Sequence, residues 1–255
     1  MHLLFRIASL LMIILLAGCA TTLPSPDRTH GEFVAREVEV DGAMRRYQVF
    51  VPARAATSEK SPVVLFLHGS GERGDDGVKP IQVGLGPYVR AHADAFPAIV
   101  VFPQVRENEG WDDAAVFALV ALEAATREFG GDRERTYLTG ISMGGYGTWS
   151  LARWRPQLFA ALVPVCGGFG RYLDTAHFAE TARQLRDKPI WIFHGAKDDV
   201  VPPDQSRRMA SELKKIGARD AHYTEFPHAN HNSWDPAYAT PELWTWLWRQ
   251  RRAAR

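Results

Sequence analysis

The chain has 255 residues, 46% hydrophobic and 23% charged, with 30 Lys and Arg against 29 Asp and Glu for a formal net charge of +1. That length supplies one sizeable core, and that composition lies well outside the charge-rich, apolar-poor regime of disordered chains. The balanced charge excludes a function built on attraction to nucleic acid, and Arg249, Arg251, Arg252 and Arg255 read as a solvated helix end.

The first thirty residues, MHLLFRIASLLMIILLAGCATTLPSPDRTH, stand apart. Arg6 precedes an apolar run over residues 7–17 that only Ser9 interrupts. The run is shorter than the ~20 residues a membrane-crossing helix needs, but it suits the hydrophobic part of an export signal. It ends on Leu16-Ala17-Gly18-Cys19, which resembles the lipobox of bacterial lipoproteins. That resemblance implies a signal peptide over 1–18 and a lipid anchor at Cys19. Because Ala20 and not an aspartate follows, it also implies delivery to the outer membrane of the cell envelope. Residues 19–32, polar and carrying Pro24 and Pro26, read as a tether. They lead to one domain over 33–252. With Cys19 acylated, Cys166 has no partner within the chain and reads as a small packing cysteine.

Within the domain, FVAREVEV (33–40) and MRRYQVFVP (44–52) are strand-forming runs joined at Asp41-Gly42, a hairpin signal. PVVLFLHG (62–69) and AIVVFP (98–103) are continuous apolar runs, as expected of strands buried on both faces. Residues 114–129 carry apolar side chains at helical spacing and stop at Gly130-Gly131. TYLTGIS (136–142) is a strand, and a helix follows Ser142 towards Arg155. ALVPVCGG (161–168), PIWIFHG (189–195) and AHYTEFP (221–227) complete the strands, with amphipathic helices over 203–217 and 241–252. The alternation predicts an α/β fold: a mostly parallel central sheet with an N-terminal antiparallel hairpin and helices on both faces.

At the junction after the TYLTGI run stands Gly140-Ile141-Ser142-Met143-Gly144, a G-x-S-x-G sequence between a strand and a helix. Glycines permit the sharp turn that would expose the Ser142 hydroxyl, and the helix start offers unpaired N–H groups to an anion. A serine alcohol is a poor nucleophile without a base, and the base needs an acid to orient it. In this setting they follow in the order acid, then histidine, each after a later strand. Asp198 and Asp199 follow one such strand, and His228 and His231 follow the last. The nine histidines show no HExxH or close Cys/His ligand set, so no metal is expected.

Four segments, LFLHGSGERG, VVFPQ with Trp111 following, GISMGGYGTW, and HGAKDDVVP with HNSWDPAY, resemble the α/β-hydrolase superfamily. The similarity runs over residues 33–249. Within the superfamily it points to the secreted carboxylesterase-like branch with predicted peptidases, feruloyl and acetyl-xylan esterase-like enzymes and polyhydroxybutyrate depolymerase-like proteins. The family pattern HG-x-x-D-x-x-V-P implies Asp198 as the acid, and P-x-x-x-H-[N/D]-x-W implies His231 as the base. His228 stands where such chains often have glycine. The resemblance also implies an oxyanion hole from the backbone N–H groups of Met143 and Ser70, with Gly71 next in line. By the same likeness His194 has a shaping role. His68 reads as a structural ring that fixes the loop and Glu72 with Arg73 as a local ion pair, while Trp111 and Trp234, beside the predicted loops, are candidate pocket residues with core packing as the other reading. The implied activity, without any cofactor, is serine-dependent hydrolysis of small or carbohydrate-linked carboxylic esters through an acyl-enzyme. A serine peptidase of the prolyl-oligopeptidase type is the alternative enzyme, and a non-catalytic envelope binding lipoprotein is the alternative from another class.

Overall fold

The computed structural model describes residues 30–53, 59–169 and 175–252. The signal peptide, Cys19 and all but the end of the tether lie outside the described residues. The domain opens with β1 (Glu32–Val40) and β2 (Ala43–Val51), paired antiparallel down to Val40 and Ala43. Asp41 and Gly42 between them have φ of 51° and 73°, the pair of left-handed residues that a tight two-residue hairpin requires.

Six further strands follow: β3 (Val63–Leu67), β4 (Ile99–Pro103), β5 (Thr136–Ile141), β6 (Ala161–Val165), β7 (Ile190–Gly195) and β8 (Ala221–Phe226). They form one sheet in the order β1-β2-β4-β3-β5-β6-β7-β8. The hairpin joins it antiparallel through β2 and β4, and β4 to β8 are parallel.

Every residue of β3 is buried, and alternate side chains go to opposite faces. Val63, Leu65 and Leu67 pack with α2 (Ala115–Glu128), α3 (Met143–Trp154), α4 (Thr175–Gln184) and α5 (Asp204–Lys215), through Phe117, Trp149, Phe178 and Met209. Val64 and Phe66 pack with α1 (Leu85–Ala91), α6 (Trp234–Tyr238) and α7 (Pro241–Leu247), through Leu85, Tyr238 and Trp244. Burying each such side chain contributes about 1.5–3 kcal/mol. The two apolar layers are why continuous apolar runs, and not alternating ones, mark the central strands.

Three helices were not among the expected elements. α1 reads LGPYVRA and has a glycine and a proline in its first turn, a poor helical sequence on propensity alone. It forms because Leu85 and Val89 are fully buried against the sheet. α4 lies in the β6–β7 connection, and the five-residue α6 lies in the segment after β8. Among the described residues no helix is long and apolar enough to cross a membrane.

Chain order and sheet order together fix where a ligand can reach. From β3 the chain moves outward to β4, then returns to the other side of β3 as β5. The carboxyl ends of β3 and β5 therefore flank a topological switch point, where open α/β sheets leave a crevice for ligands.

Candidate active site

β5 runs directly into α3, and the residue at the joint is Ser142, with φ 53° and ψ −118°. A non-glycine residue held there costs about 1–3 kcal/mol. The surroundings fix it: its amide donates to Val165 O at 3.0 Å, and its carbonyl accepts from Gly145 N at 2.8 Å and Tyr146 N at 3.1 Å. The motif glycines act by close approach. A Cβ on Gly144 would stand 1.8 Å from Leu67 O, and one on Gly140 would meet Gly144 O at 2.2 Å. Only glycine lets α3 start this close to the end of β3.

The side chain of Ser142 meets the loop after β8. His231 Nε2 lies 2.9 Å from Ser142 Oγ, and His231 Nδ1 lies 2.8 Å from Asp198 Oδ2. Asp198 follows β7 with its side chain wholly buried, and its Oδ1 accepts from the amides of Val200 and Val201 at 2.9 Å each. Burial by itself would raise its carboxyl, but the hydrogen bonds offered by His194, His231, Val201 and Val200 outweigh it and hold the group well below the usual carboxylate range. An ionised carboxylate only accepts. His231 Nδ1 therefore carries a hydrogen, and in the neutral ring Nε2 is left to accept from the Ser142 hydroxyl. That is the tautomer in which an imidazole can take the serine proton. Asp199 and His228 are both exposed, so of the neighbouring pairs the structure brings Asp198 and His231 to Ser142.

The expected oxyanion donors flank the serine. Met143 is the first residue of α3, and Ser70 opens a 3-10 turn over Ser70–Glu72. A Cβ on Gly69 would lie 3.6 Å from Ser142 Cβ, so this turn borders the nucleophile. The Glu72 carboxylate, raised by burial, accepts from the Gly69 and Glu72 amides. Among the described residues no hydrogen bond uses the Ser70 or Met143 amide.

Beneath the turn, His68 is fully buried. Its Nδ1 donates to Gly69 O at 2.6 Å, and its Nε2 accepts from Val105 N at 3.0 Å. Burial pulls the ring down to about 4, so it is a neutral brace. Trp111 is a correction: it is 5% exposed, and its Nε1 donates to His68 O at 3.0 Å. It braces the end of β3 beside the Ser70–Glu72 turn and is not a pocket wall, because the indole N–H finds its acceptor inside the core. Trp234 does stand at the site, edge-on to the His231 ring with centroids 5.6 Å apart. The expected Glu72–Arg73 pairing is replaced, since Arg73 Nε donates to Glu109 O at 2.8 Å.

The Prolyl oligopeptidase family model matches residues 168–250, the stretch that carries Asp198 and His231. A thermostable esterase of solved structure is 30% identical with a TM-score of 0.72, over 86% of this chain and 63% of that one. The chain has the α/β-hydrolase fold. A bifunctional acetylxylan esterase/xylanase of Neocallimastix patriciarum is 27% identical over 168 residues, 63% of this chain and 22% of that protein. A ferulic acid esterase shares the fold, with a TM-score of 0.67 at 17% identity over 86% of this chain and 97% of its own. The chain thus spans about a fifth of the curated relative and under two thirds of the thermostable esterase.

Two residues of this fold border the relay in ways that the sequence did not reveal. Cys166, at the end of β6, is fully buried with φ 40°. Its sulfur and the ligand atoms of Asp198 and His231 all lie within 4.8 Å of one another. Burial pushes the thiol up to about 12, so it is a neutral S–H at ordinary pH, and the other two groups are bonded to each other. That donor chemistry does not make a metal centre. His194, the last side chain of β7, is fully buried. Its Nε2 stands 2.9 Å from Val201 O and 3.2 Å from Asp198 Oδ2. Both carry the same signal in the sequence, a chemically competent side chain at the carboxyl end of a parallel strand.

Proposed function

We propose that the chain is a serine carboxylesterase acting on small or carbohydrate-linked esters. The observation that carries the reading is the continuous hydrogen-bonded line from Ser142 Oγ through His231 to the ionised Asp198. Ser142 Oγ attacks the ester carbonyl carbon while His231 Nε2 takes its proton. The oxyanion so formed is received by the N–H groups of Met143 and Ser70. His231 returns the proton to the alcohol as the C–O bond breaks, which leaves an acyl-enzyme. Water then attacks that acyl group with His231 again as base, the acid departs, and Ser142 recovers its hydrogen. Asp198 supports the imidazolium at both steps.

The acetylxylan and ferulic acid esterases among the similar proteins support acyl and feruloyl groups on saccharides as substrates. The match to the Prolyl oligopeptidase family model favours short peptides as a second reading. One panel separates them: nitrophenyl acetate, acetylated and feruloylated oligosaccharides, and aminoacyl-nitroanilides, each with wild type and Ser142→Ala. Serine-dependent turnover of the esters with inert anilides is expected, and the reverse preference refutes the esterase reading.

The anchor belongs to the same proposal. Acylation of Cys19 would hold the enzyme at the outer membrane, since more than one acyl chain is needed for stable anchoring. Cys19→Ser should release an active enzyme from membranes, and retention after a salt wash would refute the anchor.

A further inference from the structure

We infer that His194 is a positioning residue for the catalytic acid, a second imidazole that holds the Asp198 loop in register from behind. The inference rests on the triad reading above and deepens it. Val201 O accepts from His194 Nε2 at 2.9 Å. A carbonyl only accepts, so Nε2 carries a hydrogen, and the same N–H edge lies 3.2 Å from Asp198 Oδ2. His194 Nδ1 lies 2.7 Å from Ser206 Oγ in the first turn of α5.

The loop is thereby closed on itself. His194 holds the Val201 carbonyl, the Val200 and Val201 amides hold Asp198 Oδ1, and Oδ2 sits between two imidazoles. A carboxylate so gripped at both oxygens has one orientation in which Oδ2 can meet His231. The adjoining residue of α5 also ties in the neighbouring loop, since Gln205 Oε1 accepts from Phe169 N at 3.1 Å. On the other side the facing charged group is Glu225 of β8, across from His194 in the register and bonded to Arg207. Among the described residues the polar partners of His194 are Ser206, Val201 and Asp198, so its influence on the relay passes through Asp198.

Three variants test this: His194→Phe keeps ring volume and removes both nitrogens, His194→Gln keeps an N–H near the Nε2 position, and Ser206→Ala removes only the hydroxyl at Nδ1. We expect kcat of His194→Phe to fall about ten- to a hundredfold, as for one charge-assisted hydrogen bond, with KM within about threefold. His194→Gln should recover most of that loss. In the resting protein, the low-field proton resonance of His231 Nδ1–H should move upfield in His194→Phe and return in His194→Gln. Ser206→Ala should shift it in the same direction by less, and it decides the matter if His194→Phe does not fold. A folded His194→Phe with unchanged kcat and resonance overturns the inference, as does a loss confined to KM or a Gln variant no better than Phe. If wild type turns over no ester and takes no fluorophosphonate label, the esterase reading fails by itself. The resonance still decides the role of His194.

Discussion

Replacing Asp198 by Asn is the sharpest perturbation of the relay, because every partner of that carboxylate is a donor. Val200 N and Val201 N point at Oδ1, and His231 Nδ1 and His194 Nε2 point at Oδ2. An asparagine offers one acceptor and one donor end. With its oxygen on the two amides, its NH₂ faces His231, which must then move its hydrogen to Nε2 and can no longer take the proton of Ser142. With the amide flipped, NH₂ faces two backbone N–H groups, each left without an acceptor at a cost of ~1–3 kcal/mol. The first arrangement is the milder, so the folded variant should carry the wrong tautomer. In a serine triad that exchange costs ~10⁴ in turnover, about 5.4 kcal/mol in barrier height. Asp199→Asn, at an exposed position one residue on, should stay within about tenfold of wild type. Steady-state turnover of nitrophenyl acetate, with thermal melting to establish folding, gives both numbers. Asp198→Asn retaining more than about a tenth of wild-type kcat would refute the tautomer reasoning, and so would Asp199→Asn being the inactive one.

The strain at Ser142 predicts an order of stability among inactive variants. Ser142→Ala and Ser142→Gly should both lose hydrolysis and fluorophosphonate labelling. Ser142→Gly, freed of a Cβ at φ 53°, should be the more stable by about 1 kcal/mol in urea denaturation. Asp198 also leaves a mark on acid stability. Its folded value lies below the ~3.9 of an unfolded aspartate, so its stabilisation is complete above that value and is lost as pH falls through the folded one. Wild type should therefore lose stability below about pH 4 more steeply than Asp198→Asn, and parallel melting curves would contradict the shift. Cys166, buried and pushed up to about 12, should resist iodoacetamide at pH 8 in the folded protein and react once unfolded. Rapid alkylation in the native state would make it a competing nucleophile.

The central strands were legible because each is a short apolar run bounded by glycine, proline or a polar turn, and burial on two faces makes that signal strong, whereas the partly exposed β1 and β8 were legible from their strand-forming residues alone. Ser142, Asp198 and His231 were legible because their motifs stand where strands end. The choice of Asp198 over Asp199 and of His231 over His228 came from the resemblance and not from periodicity, which treats adjacent residues alike. α1 was not legible, since Gly86 and Pro87 argue against a helix that tertiary packing alone secures. Trp111 was misplaced for a related reason. A loop aromatic beside a motif looks the same in sequence whether it faces solvent or lies under the loop, and only the carbonyl of His68 decides it. The proximity of Cys166 to the relay depends on β6 lying between β5 and β7, a matter of strand order that no local pattern reports.

The bonds of the relay join residues far apart along the chain, 89 positions between Ser142 and His231 and 33 between His231 and Asp198. Each comes from the end of a different parallel strand, and parallel neighbours close only after a long crossover. Such contacts carry the largest loop-closure cost and form late. Nucleophilicity is thus a property of the completed sheet and of none of its parts. During synthesis a chain that already has its hairpin, its first helices and Ser142 in place still lacks both His231 and Asp198. The hydrogen-bonded line to Ser142 is complete only when β8 has emerged and brought His231 across.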